Sequence, residues 1–376
     1  MLDKWQKKEK PVFTGITRGT GGFGFGSGGG GGGAAGPGPL GASGGNIADG
    51  LKPGNGYVYH TFGTPGTFTC TNQNEIEILV VGGGGATGAF CAGGGGAGGV
   101  VHATSYVVAA GDHPITVGDG GTAVHPGPDG TPANGGDSYF GAPGPARLTG
   151  YGGGRGAKAP SGQGGTYPYE PTTTENNSTT GGSGAGGVRN GPWPGNSAPS
   201  AFYSGKAATQ VNPLNQDAPG TVTNYGNPGG DGGGAAPNSL VGGGGGGAGA
   251  SGGDYPSSAG GAGQPFPQFA YPLCFPSPYL PGFATPGNAI TGYQASPSSD
   301  HYGGGGGGGK HIGGGGSSQT GTGPGGIGGG GRGGNGQPVH SLGGLDYLGG
   351  GAGDSAGYED PGMSGGKGVV IVRYVA

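Results

Sequence analysis

Residues 368–375 read Gly368-Val369-Val370-Ile371-Val372-Arg373-Tyr374-Val375. A run that is apolar at both odd and even positions has no solvent face to give a strand. It belongs in the middle of a sheet, with partners on both sides. The comparable runs lie some 250 residues earlier. Glu75-Ile76-Glu77-Ile78-Leu79-Val80-Val81 alternates and then turns fully apolar, as a strand would that starts at an edge and ends buried. Tyr57–Phe62 and Thr67–Cys70 flank Thr64-Pro65-Gly66, the pattern of a β-hairpin. Shorter strands are expected at Gly99–His102, Ser105–Val108 and Ile115–Val117. The C-terminal strand is therefore expected to return to these N-terminal strands, which makes the chain between them one long excursion.

Composition agrees that little else can form. The 376 residues include 114 Gly and 33 Pro, beyond the roughly 25–30% that marks low complexity. Gly and Pro are the two poorest helix formers, and no helical apolar period is present, which excludes helical bundles and doubly wound enzymes. The longest apolar run, Ile78–Val81, is far short of the ~20 residues of a membrane span, so no membrane insertion is expected. The net charge of −4 and two isolated Arg-Gly units, at Arg155 and Arg332, give no basic face for nucleic acid. Cys70, Cys91 and Cys274 are odd in number and widely spaced, and are read as small buried hydrophobes. Residues 1–10 are basic, but no apolar stretch of a secretory signal follows them.

Three regions are expected. Residues 1–25 form an attachment arm with Trp5, Phe13 and Ile16 as its anchoring side chains; the alternative is a frayed tail. Residues 26–56 read as a Gly-rich linker. Residues 57–376 form one glycine-rich domain, with a β part at 57–117 and 366–376 and a glycine scaffold with loops at 118–365.

Glycine runs at 82–85, 93–96, 242–247, 303–309, 313–316 and 328–331 allow two physical readings. Fixing glycine backbone costs about 1–2 kcal/mol per residue, which favours disorder for an isolated run. The other reading is a bundle of three-residue-per-turn helices whose peptide groups pair between neighbours, with only Gly fitting inside. At about 3.1 Å per residue a six-residue run spans roughly 19 Å. The closing C-terminal strand favours the bundle. The expected fold is thus mainly β and irregular: a small β-sandwich of N- and C-terminal strands, a large insertion of packed polyglycine II helices, and no significant α-helix.

The residues from Tyr57-Val58-Tyr59 through Glu75–Val81 and Gly82-Gly83-Gly84-Gly85, then Gly93–Gly99 and Ile115–Gly118, resemble the start of the glycine-rich domain of bacteriophage tail-fibre and virion proteins. That family commonly closes on a Gly-rich stretch, an apolar strand and Arg-Tyr, which Gly365–Tyr374 matches here. The resemblance covers 57–376 in outline and is specific at its two ends. The N-terminal arm resembles short attachment peptides of marine contractile-tailed phages. Packed polyglycine helices also resemble the tip adhesins of T-even phages, in which loops between struts contact the host receptor. Loops here are longer and richer in Pro, so individual loop roles do not carry over.

No catalytic constellation stands out. Gly303–Lys310 looks like a phosphate loop, but His311 occupies the Ser/Thr position. His301 and His311 flank a glycine run beside Asp300 without a metal-ligand spacing, so no metal or cofactor is expected. The resemblance implies a virion protein, the distal receptor-binding adhesin of a tail fibre. Its partners would be other virion proteins through the arm, a host glycan or outer-membrane protein through the loops, and further copies of itself. The aromatics of the non-glycine stretches, Tyr167, Tyr169, Trp193, Phe202, Tyr203, Phe266, Phe269, Tyr271, Phe275 and Tyr279, are the expected receptor contacts. They could equally cover the scaffold's edges. A non-adhesive decoration or fibre-adaptor protein is the alternative function.

Overall fold

The computed structural model describes residues 41–88, 93–123, 131–157, 178–187, 189–190, 201–202, 204–211, 215–233, 239–276, 300–312, 322–335, 340–355 and 362–376. Its strands are β1 (Ala42–Ser43), β2 (Ala48–Leu51), β3 (Tyr57–Phe62), β4 (Gly66–Cys70), β5 (Asn74–Val81), β6 (Val100–Val108), β7 (Gly111–Thr116), β8 (Ser138–Phe140) and β9 (Leu148–Gly150). They continue with β10 (Arg189–Asn190), β11 (Ala201–Phe202), β12 (Thr221–Tyr225), β13 (Ser239–Val241), β14 (Gln264–Pro265), β15 (His301–Tyr302), β16 (Lys310–Ile312) and β17 (Val369–Val375). The four-residue α1 (Tyr271–Cys274) is the one α-helix among the described residues.

A six-stranded sheet runs β12-β6-β5-β17-β3-β2 and a five-stranded sheet runs β1-β4-β7-β8-β9. β17 sits between β5 and β3, antiparallel to both. Its two apolar faces serve two cores. Val370, Val372 and Tyr374 join Val58, Phe62, Ile78, Phe68, Phe140 and Leu148 between the sheets. Val369 and Ile371 join Tyr59, Leu79, Val81 and a cap formed by residues 264–276 on the opposite face.

Several strand assignments need correction. β3 and β4 are not a hairpin: β3 pairs with β17 and β2, β4 with β1 and β7. The Gly63–Pro65 connection crosses between sheets, which lets Phe62 and Phe68 fill the same core. The two strands expected at 99–102 and 105–108 are one strand, β6. It carries an extra residue opposite Ile76–Ile78, and Ser105 there has φ of 51°, a bulge that keeps both halves in one ladder. Residues 42–51, read as linker, supply β1 and β2. β8, β9 and β12, from within the supposed scaffold, complete the sheets.

Beyond the sheets, extended glycine segments pack as struts. In residues 82–87, Gly82 N–H donates to Gly99 O (3.0 Å), Gly83 to Gly136 O (2.9 Å) and Gly84 to Gly366 O (2.8 Å). The cycle then repeats on the same neighbours: Gly85 to Gly96 O (2.9 Å), Ala86 to Ala133 O (3.1 Å), Thr87 to Met363 O (2.9 Å). Successive N–H groups turning to a new neighbour, with return at the third residue, is what a three-residue-per-turn helix imposes. The carbonyls of the same strut accept from others: Gly83 O from Gly153 N–H, Gly84 O from Gly121, Gly85 O from Ala352. Residues 94–99 repeat this, with Gly94 and Ala97 donating to Gly243 and Gly246, Gly95 and Gly98 to Ala352 and Gly349, and Gly96 and Gly99 to Gly154 and Tyr151. The buried peptide groups thus find partners without a ladder.

The packing explains the composition. A Cβ added at Gly84, Gly95, Gly152, Gly244 or Gly306 would meet backbone atoms of a neighbouring strut closer than 3.0 Å, which no real Cβ tolerates. The rule is positional rather than absolute, since Ala86, Ala97, Ala185 and Ala352 are fully buried in struts. Outer struts show the same period on their solvent side: Asp119 and Thr122, and Thr131 and Asn134, are exposed three residues apart.

Strut direction gives the bundle two poles. Residues 82–88, 118–123, 151–157 and 226–233 leave the ends of β5, β7, β9 and β12, while 93–99, 131–137 and 362–368 run back into β6, β8 and β17. Register orients the rest. Ser183 and Gly186 donate to Ala97 and Gly94, Gly94 and Ala97 donate to Gly243 and Gly246, and Gly242 and Gly245 donate to Gly309 and Gly306. Residues 183–187 and 303–309 therefore run away from the sheets and 242–247 run toward them. At the other extreme, Thr71 N–H donates to Gly41 O and Ala376 N–H to Gly56 O, at the strand ends away from the struts.

Candidate functional site

The strut ends at the far pole border residues 89–92, 124–130, 158–177, 188, 191–200, 234–238, 313–321, 336–339 and 356–361, which lie outside the described residues. Residues 277–299 differ. Their described flanks, Pro276 and Asp300, are at the sheet pole, where Phe266 N–H donates to Asp300 O and β14 pairs with β15.

Of the residues expected to contact a receptor, Tyr167, Tyr169, Trp193, Tyr203 and Tyr279 lie outside the described residues, as do Trp5, Phe13 and Ile16 of the arm. Phe202 is in β11, whose backbone pairs with β10. Phe266, Phe269, Tyr271 and Phe275 are only 0–3% exposed. A side chain so covered has no face to offer a receptor, and the expectation is corrected for these four: they form the cap over the six-stranded sheet. Tyr271 stacks on Phe275 at 4.2 Å and lies 6.1 Å from Tyr302. Phe266 sits 6.3 Å from Tyr302. Proline spacing of aromatics reads alike for a solvent loop and a folded cap, and only the hydrogen-bond partners distinguish them. Here they are fixed: Tyr302 OH donates to Phe269 O (2.6 Å), Thr61 OH to Cys274 O (2.8 Å) and Tyr59 OH to Gln268 O (3.0 Å).

A polar knot pins the cap to the sheet. Arg373 Nε donates to Glu77 Oε2 (2.6 Å), His102 Nε2 lies 2.7 Å from Glu77 Oε1, and Gln268 Nε2 donates to the same oxygen at 3.3 Å. The guanidinium stands 4.2 Å from the Tyr57 ring, and His102 meets Phe266 edge-on at 5.2 Å. Burial alone would raise the Glu77 pKa. The hydrogen bonds from His102 and Arg373 and the Arg373 charge outweigh it and hold the carboxylate below its ordinary range. A carboxylate so neutralised, covered by a cap, is a structural fastener rather than an acid or base for a substrate.

His60 is fully buried between the sheets. Its Nδ1 is 2.6 Å from Gly44 O and 3.2 Å from Asp49 Oδ1, while Nε2 is 3.3 Å from Tyr374 OH. Burial lowers its pKa despite those acceptors, so the ring is neutral, with Nδ1–H donating to Gly44 O and Nε2 accepting from Tyr374. Burial likewise raises the Cys70 thiol to about 11 and Cys274 further.

The resemblance of Gly303–Lys310 to a phosphate loop dissolves in the structure. Each N–H of Gly303–Gly308 donates to a carbonyl of another segment, which leaves none to cradle an anion. His301 Nδ1 is held at 2.7 Å by Asp300. Among the described residues no group of three His, Cys, Asp or Glu could hold a metal ion, and no helix is long and apolar enough to cross a membrane.

These features define a β-rich protein in which a sandwich adjoins a hydrogen-bonded glycine bundle. The family model described as a glycine-rich domain matches residues 60–269, more than half of the chain, and the chain belongs to that family. No curated protein matches the sequence.

Proposed function

We propose that this chain is a bacteriophage virion structural protein, the distal receptor-binding adhesin of a tail fibre. The observation that carries the reading is the opposition of its two ends. Gly41 joins the sandwich at the end away from the struts, and the strut ends bordering 158–177 and 188–200 are at the far pole. An arm with Trp5, Phe13 and Ile16 would hold another virion protein. Tyr167, Tyr169, Trp193, Phe202 and Tyr203 would meet a host glycan or outer-membrane protein.

A stiff base suits this task. Loops held at both ends by a hydrogen-bonded bundle lose less entropy on binding than free ones. Tyr and Trp add large contact area with few torsions. The 264–276 segment is reassigned from contact surface to cap. In this role the chain is carried on the extracellular particle and needs no catalysis, cofactor or nucleic-acid partner.

The test replaces residues 158–177 and 188–200 with short Gly-Ser links in the phage that encodes the chain. Particles are expected to assemble with fibres intact and to lose adsorption. Normal adsorption by such particles would contradict the adhesive role and favour a decoration or adaptor protein.

A further inference from the structure

We propose that Asn55 is a self-modification site, converted to aspartate and isoaspartate by attack of the Gly56 nitrogen on its side chain; the chemistry is independent of the function proposed above. Four Asn-Gly pairs occur, at Asn55, Asn134, Asn190 and Asn335. A glycine after asparagine puts no side chain in the way of that attack and lets the backbone turn to meet it. By sequence the four pairs are alike. Gly191 and Gly336 lie outside the described residues, and the structure separates the other two pairs.

Asn55 and Gly56 are both exposed, in the bend ahead of β3. Gly54 and Gly56 have φ of 95° and 84°, and a Cβ added at either would meet nothing within 4 Å. Gly56 N–H has no hydrogen-bond partner among the described residues. The side-chain amide is already oriented: Asn55 Oδ1 accepts Tyr57 N–H at 3.2 Å, and Nδ2 donates to Tyr59 OH at 2.8 Å. The Tyr57 N–H polarises the side-chain carbonyl and favours the oxyanion that attack on it creates. Asn134 is held in the opposite way. Gly135 N–H donates to Gly153 O at 3.0 Å, and a Cβ at Gly135 would press on Gly83 O of a neighbouring strut. Asn134 Oδ1 accepts Arg155 N–H at 3.0 Å and Thr179 OH at 2.6 Å. With its nitrogen bonded and its backbone packed, Gly135 reaches the Asn134 side chain only when the bundle opens.

In the reaction Gly56 N gives up its proton and bonds to Asn55 Cγ. The Cγ–Nδ2 bond breaks, ammonia leaves, and a cyclic imide remains. Water then opens the ring. Cleavage between Cγ and nitrogen gives aspartate; cleavage between the main-chain carbonyl carbon and nitrogen gives isoaspartate, whose chain runs through Cβ and Cγ. Water enters and ammonia departs, with no other reactant. Gly56 O accepts Ala376 N–H at 3.0 Å, beside the Tyr57–Val375 pair of β3 and β17. The extra methylene of isoaspartate, one residue before Gly56, displaces that carbonyl and loosens the end of the pairing.

Peptide mapping by mass spectrometry that resolves aspartate from isoaspartate tests this. The full chain is held at mildly alkaline pH, folded and in urea, until half of Asn134 has converted in urea. In the folded chain Asn55 is expected to convert at least about tenfold faster than Asn134, and in urea the two rates should approach each other. Asn55→Gln should give no product at that position, and amide exchange at Ala376 should quicken in the isoaspartyl fraction. Folded-state conversion of Asn134 as fast as that of Asn55, or an intact Asn55 at that time, overturns the proposal. Unchanged exchange at Ala376 in the isoaspartyl fraction overturns its effect on the β3–β17 pairing.

Discussion

Replacing Gly95 by alanine puts one methyl group where three struts meet. The added Cβ would press on Gly85 O and lie 3.0 Å from Gly85 C and 3.1 Å from Ala352 N. Gly85 O is itself the acceptor for Ala352 N–H at 3.0 Å, and Gly95 donates to Ala352 O at 2.8 Å. The methyl therefore wedges apart a hydrogen bond between two other struts. Overpacking a rigid interior costs about 1–3 kcal/mol. A buried donor or acceptor left without its partner costs about 1–3 kcal/mol more. The smaller entropy of alanine in the unfolded chain offsets about 0.4–1 kcal/mol. The net expectation is a loss of about 1–5.6 kcal/mol, a sizeable share of a typical stability of about 5–15 kcal/mol. Gly136→Ala is the control, because its added Cβ would find its nearest atoms at 3.1–3.3 Å on a partly exposed strut. There the strain is small and the entropy gain similar, so the change should stay within about 1 kcal/mol. Urea unfolding followed by tyrosine fluorescence gives both values. Equal stability of the two variants, or a neutral Gly95→Ala, would refute close strut packing as the reason for the glycine.

Other expectations follow from the cap and the buried groups. The Glu77 carboxyl titrates below its ordinary value of 4.5 when folded. The unfolded chain then binds more protons as pH falls through that window, so stability present above pH 4.5 is lost toward the folded value; Glu77→Gln should flatten this acid dependence in thermal melts across pH 3–6. The lowered pKa of His60 adds a like loss as pH falls below 6.5, visible as a neutral imidazole that resists protonation in histidine NMR titration. Cys70 and Cys274 should resist a thiol reagent at pH 8 in the folded chain and react on unfolding; prompt labelling of either would contradict their burial. Deleting 264–302 should unfold or aggregate the chain, because it removes Phe266, Phe269, Tyr271 and Phe275 from the core; a soluble, melting-competent product would undo the cap assignment.

What the sequence disclosed depended on whether the signal was local. The two-faced hydrophobicity of Val369–Val375 required a central strand, and β17 is one. The Tyr57–Cys70 pattern misled because alternation reports a half-buried strand and is silent on which sheet receives it; Phe62 and Phe68 face one core from opposite sides. The linker assignment missed β1 and β2 because two short edge strands need little hydrophobicity when their partners supply it. The aromatics at 264–276 misled for the converse reason: their burial depends on Tyr59, Thr61 and Arg373, distant in sequence. Glycine-run lengths vary, so no fixed repeat betrays the bundle. Its period survives only in the outer rows, where Asp119 and Thr122 or Ser364 and Lys367 stand three apart, and Lys367 reaches Asp119 across adjacent struts at 3.1 Å.

Hydrogen–deuterium exchange resolved to single amides tests the central claim most directly. Gly83–Ala86, Gly94–Gly99 and Gly304–Gly308 should exchange as slowly as the amides of β5 and β17, although none belongs to a strand or α-helix. Exchange of these glycines at the rate of an unstructured peptide, with β5 and β17 still protected, would mean that the struts do not hold one another.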